Sequence, residues 1–294
     1  MMRAHEEIEW HCDGVVLRID LNRAGAGPIV LLLPALSSIS TLSEMQPLQG
    51  RLAQSFTTIA IDWPGFGYRS KPYVNWRPQT YEIFLAHLLT HAVPNPFATV
   101  AAGHAASYVM KHAARHAGAA GRLVLLSPTW RGPLPTMAGG NRPHFSKIAR
   151  AFDLPIIGPL LYRLNVNRFV IGMMGRGHVY EDSTWLTEDR MGAKVMVTRA
   201  PGTRHASARF VTGCLDPFRS REDQLAAVRR IVDPMLNVFA ENTPPKSKAE
   251  MEALAELPGV KTVRLPVGKL SVYEEFPDEV ANVVREFLIL SAAD

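Results

Sequence analysis

The sequence has few cysteines and no long apolar run, and both absences exclude classes of protein. Only Cys12 and Cys214 occur among 294 residues, and they lie far apart. Neither a disulfide framework nor a zinc-binding spacing follows from them, which favours a reducing compartment. No apolar run reaches the roughly 18 residues of a membrane-spanning helix. The opening stretch, MMRAHEEIEWHCDG, lacks the apolar segment of a secretion signal, so we expect a cytoplasmic protein.

Basic residues are concentrated in the middle of the chain. Residues 131–230 carry 16 Lys or Arg against 8 Asp or Glu, whereas the rest carries 16 against 19. Such a segment attracts an anionic ligand, lipid headgroups or an acidic partner. No zinc knuckle, helix-turn-helix signal or aromatic ladder indicates nucleic acid. We therefore expect no nucleic-acid partner, while peripheral membrane contact and the oligomeric state stay open.

Short apolar runs alternate with helical patterns along most of the chain. GVVLRIDLN (14–22) alternates like a half-buried strand, and PIVLLLP (28–34) is apolar throughout, as in a strand covered on both faces. This alternation predicts an α/β fold, with a mostly parallel central sheet flanked by helices. After Pro128 the rhythm gives way to a stretch rich in Gly, Pro, Met and Arg. We predict a core of residues 1–128 and 233–294 and an inserted helical cap of residues 129–232.

Three stretches resemble the α/β-hydrolase superfamily, and together they span nearly the whole chain. They are DWPGFGYRSKP (62–72), AAGHAAS (101–107) and GKLSVYEEFPDEV (268–280). The resemblance implies the α/β-hydrolase fold. Its usual chemistry needs a serine in a G-x-S-x-G turn, a histidine base and an acid that orients the histidine. The fold alone does not establish a function.

All three triad places carry other residue types. Placing the first Gly of the motif at Gly103 puts Ala105 at the nucleophile position, and a methyl group cannot attack a carbonyl. Thr243 takes the place of the acid, and Lys269 or Leu270 takes that of the base. No histidine follows His205. We therefore expect the classical hydrolase mechanism to be absent, and whether the protein is an enzyme stays open.

The resemblance also implies a pocket around the turn. The loop after the strand at Pro28 would shape one wall, and Ala106 could still supply an oxyanion-hole N–H. His104 is expected to pack beneath the turn. The residues expected at the pocket or oxyanion hole are Ala35, Leu36, Ser37, His104, Ala105, Ala106 and Trp130.

Three functions remain open. The first is a non-hydrolytic protein that binds a small or apolar ligand, or a partner, between core and cap. The second is a hydrolase or lyase for an ester-like or other small substrate, with displaced catalytic groups drawn from Lys269, Glu241, His178 and His205. The third is a membrane-surface or scaffold protein that uses the basic cap. We expect no cofactor and no metal.

Overall fold

Eight strands form one sheet in the computed structural model, which describes residues 4–290. The strand order is β1-β2-β4-β3-β5-β6-β7-β8. The first two strands run antiparallel to their neighbours, and the other six are parallel to one another. The strands are β1 (Ala4–Cys12), β2 (Val15–Ala24), β3 (Ile29–Leu33), β4 (Thr57–Ile61), β5 (Ala98–Ala102), β6 (Arg122–Leu126), β7 (Met235–Ala240) and β8 (Val260–Leu265).

The sheet separates two apolar cores. Side chains of a strand alternate between the two faces, so Leu31 and Leu33 of β3 enter one core while Val30 and Leu32 enter the other. All four are fully buried. This burial on both faces explains the unbroken apolar run and confirms the predicted, mostly parallel sheet.

Helices of the core cover both faces. On one face α2 and α3 pack together, and on the other α1 packs against α13. A short 3₁₀ turn, Leu42–Met45, precedes α1. These helices are α1 (Gln46–Leu52), α2 (Pro78–His87), α3 (Ala105–Ala113), α11 (Pro245–Ala255), α12 (Val272–Glu275) and α13 (Pro277–Leu290).

Helices also fill the stretch between β6 and β7, which we call the insert. No strand is described there, and no described helix of residues 4–290 is long and apolar enough to cross a bilayer. The division at residues 129 and 232 stays a prediction. The helices are α4 (Pro133–Ala138), α5 (Phe145–Ala151), α6 (Ile157–Asn165), α7 (Arg168–Met174), α8 (Glu188–Arg199), α9 (Thr203–Val211) and α10 (Arg221–Val228).

Strand β1 was not predicted from the sequence. It is an edge strand paired only with β2, and Trp10 is its one fully buried residue. Its remaining side chains are exposed or half-buried, and several are acidic. Such a strand lacks the apolar content that marks strands in a sequence.

Candidate functional site

The turn between β5 and α3 lies at Gly103. This residue has a left-handed φ of +52°, whereas Ala105 is the first residue of α3 and is fully buried. A left-handed residue between strand and helix is what makes the nucleophile turn sharp and strained. Glycine adopts this backbone without a steric penalty. The structure places the left-handed residue of this turn at Gly103, two residues before Ala105, and the assignment of Ala105 to the nucleophile position stays a prediction.

The loop after β3 approaches this turn closely. A Cβ atom built on Gly103 would lie 3.0 Å from the Cβ atom of Ala35. The Ala106 N–H donates to the Gly103 carbonyl at 3.3 Å, and its role as an oxyanion-hole donor stays a prediction. The backbone N–H groups of Leu36 and His104, by contrast, donate to no acceptor found within residues 4–290. Two free donors thus remain beside a turn that has no side chain.

His104, the residue after Gly103, is buried. Its Nε2 lies 3.2 Å from the Leu215 carbonyl and 3.6 Å from Oδ1 of Asp216. Because a carbonyl only accepts, Nε2 carries the proton and Nδ1 is left as an acceptor. Burial lowers the pKa of His104 to about 4 and raises the pKa of Asp216 to about 8. The imidazole is therefore neutral at pH 7.

Three buried polar atoms follow neighbouring strands without a hydrogen-bond partner. They are Nδ1 of His104 after β5, Oγ of Ser127 after β6 and Oγ1 of Thr243 after β7, and none has a partner within the described part of the chain. Buried polar atoms are nearly always paired in folded proteins. In open α/β sheets, ligands bind outside the carboxyl ends of the strands. These atoms stand at that edge.

The predicted acid and base places hold no acid and no imidazole. Thr243 is buried, and its N–H donates to the Ala240 carbonyl at 3.1 Å. Leu270 is half-buried, while Nζ of Lys269 donates to the Arg176 carbonyl at 2.9 Å. The assignment of Thr243 and of Lys269 or Leu270 to the triad places stays a prediction. In the described residues, the Thr243 and Lys269 side chains do not hydrogen-bond to each other.

The displaced catalytic candidates do not form a cluster. Glu241 and His178 are exposed, and His205 lies 2.6 Å from Asp153 within the insert. Lys269 donates to a backbone carbonyl of the insert, that of Arg176. Residues 4–290 show no hydrogen bond or ion pair between any two of the four candidates.

Two further pocket candidates make contacts of their own. Nε1 of Trp130 donates to Glu250 at 3.0 Å, on the same carboxylate that Arg131 and Arg221 bind. The hydroxyl groups of Ser37 and Ser40 lie 2.7 Å apart. Trp130 therefore belongs to an ion-pair cluster between the insert and α11. That Trp130 and Ser37 line a pocket stays a prediction.

A buried group that the sequence did not indicate joins the insert to the core beside the turn. Nζ of Lys194, on α8, lies 2.9 Å from Glu274 and 4.0 Å from Glu44. Tyr180 donates to Glu274 at 2.8 Å, and Tyr273 donates to Glu44 at 2.9 Å. We call these five residues the ion cluster. Its members come from four distant segments, so no local pattern marks them.

The ion cluster reaches the turn through Glu44. Its Oε1 accepts the N–H of Ala35, the residue that faces Gly103, at 2.7 Å. Burial raises the pKa of Glu44 to about 7, although Lys194 works against this. Burial alone would lower the pKa of Lys194, but Glu274 and the other members of the cluster hold it above its ordinary value. Lys194 and Glu274 therefore form the ion pair, and Glu44 exchanges a proton near neutral pH.

Comparisons with known proteins agree with this architecture. A family model described as the alpha/beta hydrolase family matches residues 30–283. A 2-(acetamidomethylene)succinate hydrolase from Mesorhizobium japonicum is 37% identical over 90 residues, which are 30% of this chain and 29% of that relative. The chain thus matches less than a third of the length of that relative.

Solved structures resemble the whole chain. Cfl2 from Burkholderia cenocepacia has a TM-score of 0.72 at 20% identity, over 97% of this chain and 96% of its own. A thermophilic esterase from Thermogutta terrifontis has a TM-score of 0.69 at 17% identity, over 96% and 98%. A haloalkane dehalogenase from Agrobacterium tumefaciens has a TM-score of 0.69 at 15% identity, over 97% of each chain. At these identities the likeness establishes the fold alone.

Proposed function

The chain belongs to the alpha/beta hydrolase family, and we propose that it binds a small molecule without hydrolysing it through a serine nucleophile. The ligand class that fits best is a small molecule with a carboxylate or carbonyl oxygen. It would lie at the carboxyl ends of β5, β6 and β7, between the core and the insert.

One observation carries this proposal, namely the glycine at the turn. Relatives of this fold include a hydrolase, an esterase and a dehalogenase by name, but Gly103 offers no side-chain atom that could attack a substrate. The two predicted partner places hold neither an acid nor a histidine. A triad that lacks any member loses several orders of magnitude in rate.

The groups that remain suit an oxygen-bearing ligand. The free N–H groups of Leu36 and His104 are hydrogen-bond donors of the kind that hold an oxyanion. The orphaned hydroxyl groups of Ser127 and Thr243 would each gain a partner from the same ligand. The name of the succinate-derivative hydrolase makes small carboxylates the first probes.

Titration of succinate and butyrate into ¹⁵N-labelled protein tests the proposal. We expect the amide resonances of Leu36 and His104 to shift in a saturable manner. Ser127→Ala and Thr243→Val each remove a hydroxyl and should weaken binding about fivefold, the effect of one hydrogen bond worth about 1 kcal/mol. Saturation without movement of these two amides would overturn the proposal.

Thr58→Val is the matched control. Its hydroxyl is equally buried but donates to the Ala24 carbonyl at 3.0 Å, on the antiparallel side of the sheet. This variant should lose stability and keep its affinity. The Ser127 and Thr243 variants should keep their stability and lose affinity, because each removes a polar atom that has no partner in the protein.

A lyase or hydrolase that uses acid–base chemistry is a second candidate, and Glu44 favours it. Its carboxyl exchanges a proton near pH 7 and bonds to the loop beside Gly103, and perturbed carboxyl groups are common at catalytic sites. Glu44→Gln separates the two candidates. Turnover of any ester or β-hydroxy acid that this change abolishes would favour the enzyme, and unaltered ligand binding without turnover would favour the binding protein.

A further inference from the structure

The insert carries an exposed apolar ridge on α6 and α7. The ridge consists of Ile156, Ile157, Leu160, Leu164, Phe169 and Met173, and the most exposed of them, Ile156, keeps 85% of its surface. Residues 140–179 hold eight of the sixteen large apolar side chains that are exposed among the described residues. Exposed apolar side chains are normal one at a time, but a contiguous group marks an interaction surface.

Packing of the two helices fixes which way the ridge points. On α6, Gly158 and Tyr162 are buried against the rest of the insert. A Cβ atom at Gly158 would lie 2.1 Å from the Phe152 carbonyl. Residues spaced three or four apart share a helix face, so the Ile157, Leu160 and Leu164 side chains share the opposite, outer face. The ridge side chains of α6 therefore point away from the packed side of the helix.

On α7 the same rule applies. Ile171 and Gly172 are buried, while Phe169 and Met173 stand one turn apart on the outer side. The Asn167 side chain caps the helix through the N–H groups of Phe169 and Val170. The cap fixes where α7 begins, so Phe169 and Met173 form the exposed apolar face of this helix, as Ile157, Leu160 and Leu164 do on α6.

Basic residues predominate in the segment that carries the ridge. Residues 140–179 contain six Lys or Arg and one acidic residue, Asp153. That carboxylate is already engaged by Arg209 at 2.7 Å and by His205 at 2.6 Å. Arg168 is paired with Glu188 of α8, and the segment itself contains no other carboxylate.

A groove of about 920 Å³ runs beside the ridge between α6, α8 and α9. Arg163, Arg168, Arg199 and Arg204 all line it. The guanidinium groups of Arg163 and Arg199 have no hydrogen bond or ion pair with any residue from 4 to 290, and both residues are exposed. Two free cations thus border a groove next to an apolar surface.

We propose that this face of the insert docks on an anionic lipid bilayer. The apolar ridge would enter the headgroup–acyl boundary, and the groove arginines would bind lipid phosphates. Helices that lie on a membrane combine an apolar face with Lys and Arg, and their binding depends on anionic lipid. A second copy of the chain fits less well, because a symmetric dimer through this face would bring two basic surfaces together.

Sedimentation with vesicles tests the proposal. The protein is mixed with vesicles of phosphatidylcholine alone or of phosphatidylcholine and phosphatidylglycerol in equal parts, at low and high salt. We expect binding to the mixed vesicles only, weakened by salt because screening reduces headgroup attraction. Absence of salt-sensitive binding to the mixed vesicles would overturn the proposal.

Paired variants locate the binding surface. Ile156→Ser with Phe169→Ser should reduce binding at least about tenfold, and Arg163→Gln with Arg199→Gln should reduce it about fivefold per arginine. Val16→Ser with Ile83→Ser is the apolar control outside the insert, and Arg229→Gln with Arg230→Gln is the charge control.

Both controls should bind as the unaltered protein does, and circular dichroism should show each variant folded. An equal loss in either control would contradict docking through the ridge and the groove arginines. A dimer in analytical ultracentrifugation that Ile156→Ser with Phe169→Ser dissociates would replace the bilayer with a second copy.

Discussion

The Cβ atom of Ala35 lies 3.0 Å from the position that a Cβ atom at Gly103 would take. Ala35 belongs to the loop after β3, and Gly103 belongs to the turn after β5. The size of the side chain at either position limits the size of the side chain at the other. A side chain at the turn would press on Ala35, so the chain has little room for a nucleophile where the family places one. The absent side chain and the close loop are one structural feature.

Gly103→Ala should destabilise the protein by roughly 2 kcal/mol. A left-handed backbone costs a non-glycine residue about 1–2 kcal/mol, and the contact with Ala35 adds to this. Gly118→Ala is the matched control, because Gly118 also has a left-handed φ, +77°, and nothing lies within 4 Å of its added Cβ. Urea unfolding should therefore show the larger loss at position 103.

A double-mutant cycle isolates the contact. Combining Gly103→Ala with Ala35→Gly should recover the part of the loss that exceeds the Gly118 control, since neighbouring sites do not act additively. Strict additivity of the two changes would show that the loop and the turn are not in contact.

Lys194→Met should cost about 3–5 kcal/mol. The change leaves the largely buried Glu274 carboxylate without its cation, and breaking a buried pair carries a penalty of this size. Arg264→Met breaks the exposed pair with Glu252 and should cost less than about 1 kcal/mol. Chemical denaturation measures both. Equal, small effects would show that the ion cluster does not hold the insert on the core.

Asp216→Asn should flatten the pH dependence of stability. Burial raises the pKa of Asp216 from its ordinary 3.8 to about 8, so its contribution is full below pH 4 and is lost as pH rises through 8. The variant keeps an acceptor for the Gly132 N–H and cannot ionise. Its free energy of unfolding should exceed that of the unaltered protein increasingly from pH 4 to pH 8, by up to several kcal/mol.

His104 changes stability in the opposite direction. Burial lowers its pKa from 6.5 to about 4, so its contribution is full above pH 6.5 and is lost as pH falls through 4. The unaltered protein and the Asp216→Asn variant both contain His104, so its contribution cancels when their free energies of unfolding are compared. A difference that is constant with pH would show that Asp216 ionises normally in the fold.

The sequence predicted the fold well because a strand buried on both faces is apolar throughout and a half-buried strand alternates. PIVLLLP corresponds to β3 and GVVLRIDLN to β2, each within two residues at either end. The position of the turn was harder to predict, because matching Gly103 to the first glycine of G-x-S-x-G places that glycine before the turn. Here Gly103 itself adopts the left-handed turn, and backbone dihedrals are not visible in a residue pattern.

The ion cluster was out of reach for a different reason. Its bonds join Lys194 to Glu274, 80 residues apart, and Glu44 to Tyr273, 229 apart. Charged residues are mostly exposed, so a sequence alone gives no reason to place three of them together away from solvent. Only the fold brings these segments to one place.

Ester hydrolysis by two rebuilt triads tests the central claim, that the turn lies at Gly103 and has no nucleophile. Both variants carry Ala35→Gly, Thr243→Asp and Leu270→His, and one adds Gly103→Ser while the other adds Ala105→Ser. With p-nitrophenyl acetate, we predict a rate about 100-fold above the unaltered protein for the position-103 set, and no gain for the position-105 set. A gain in the position-105 set alone, or hydrolysis by the unaltered protein that Gly103→Ala abolishes, would contradict the account.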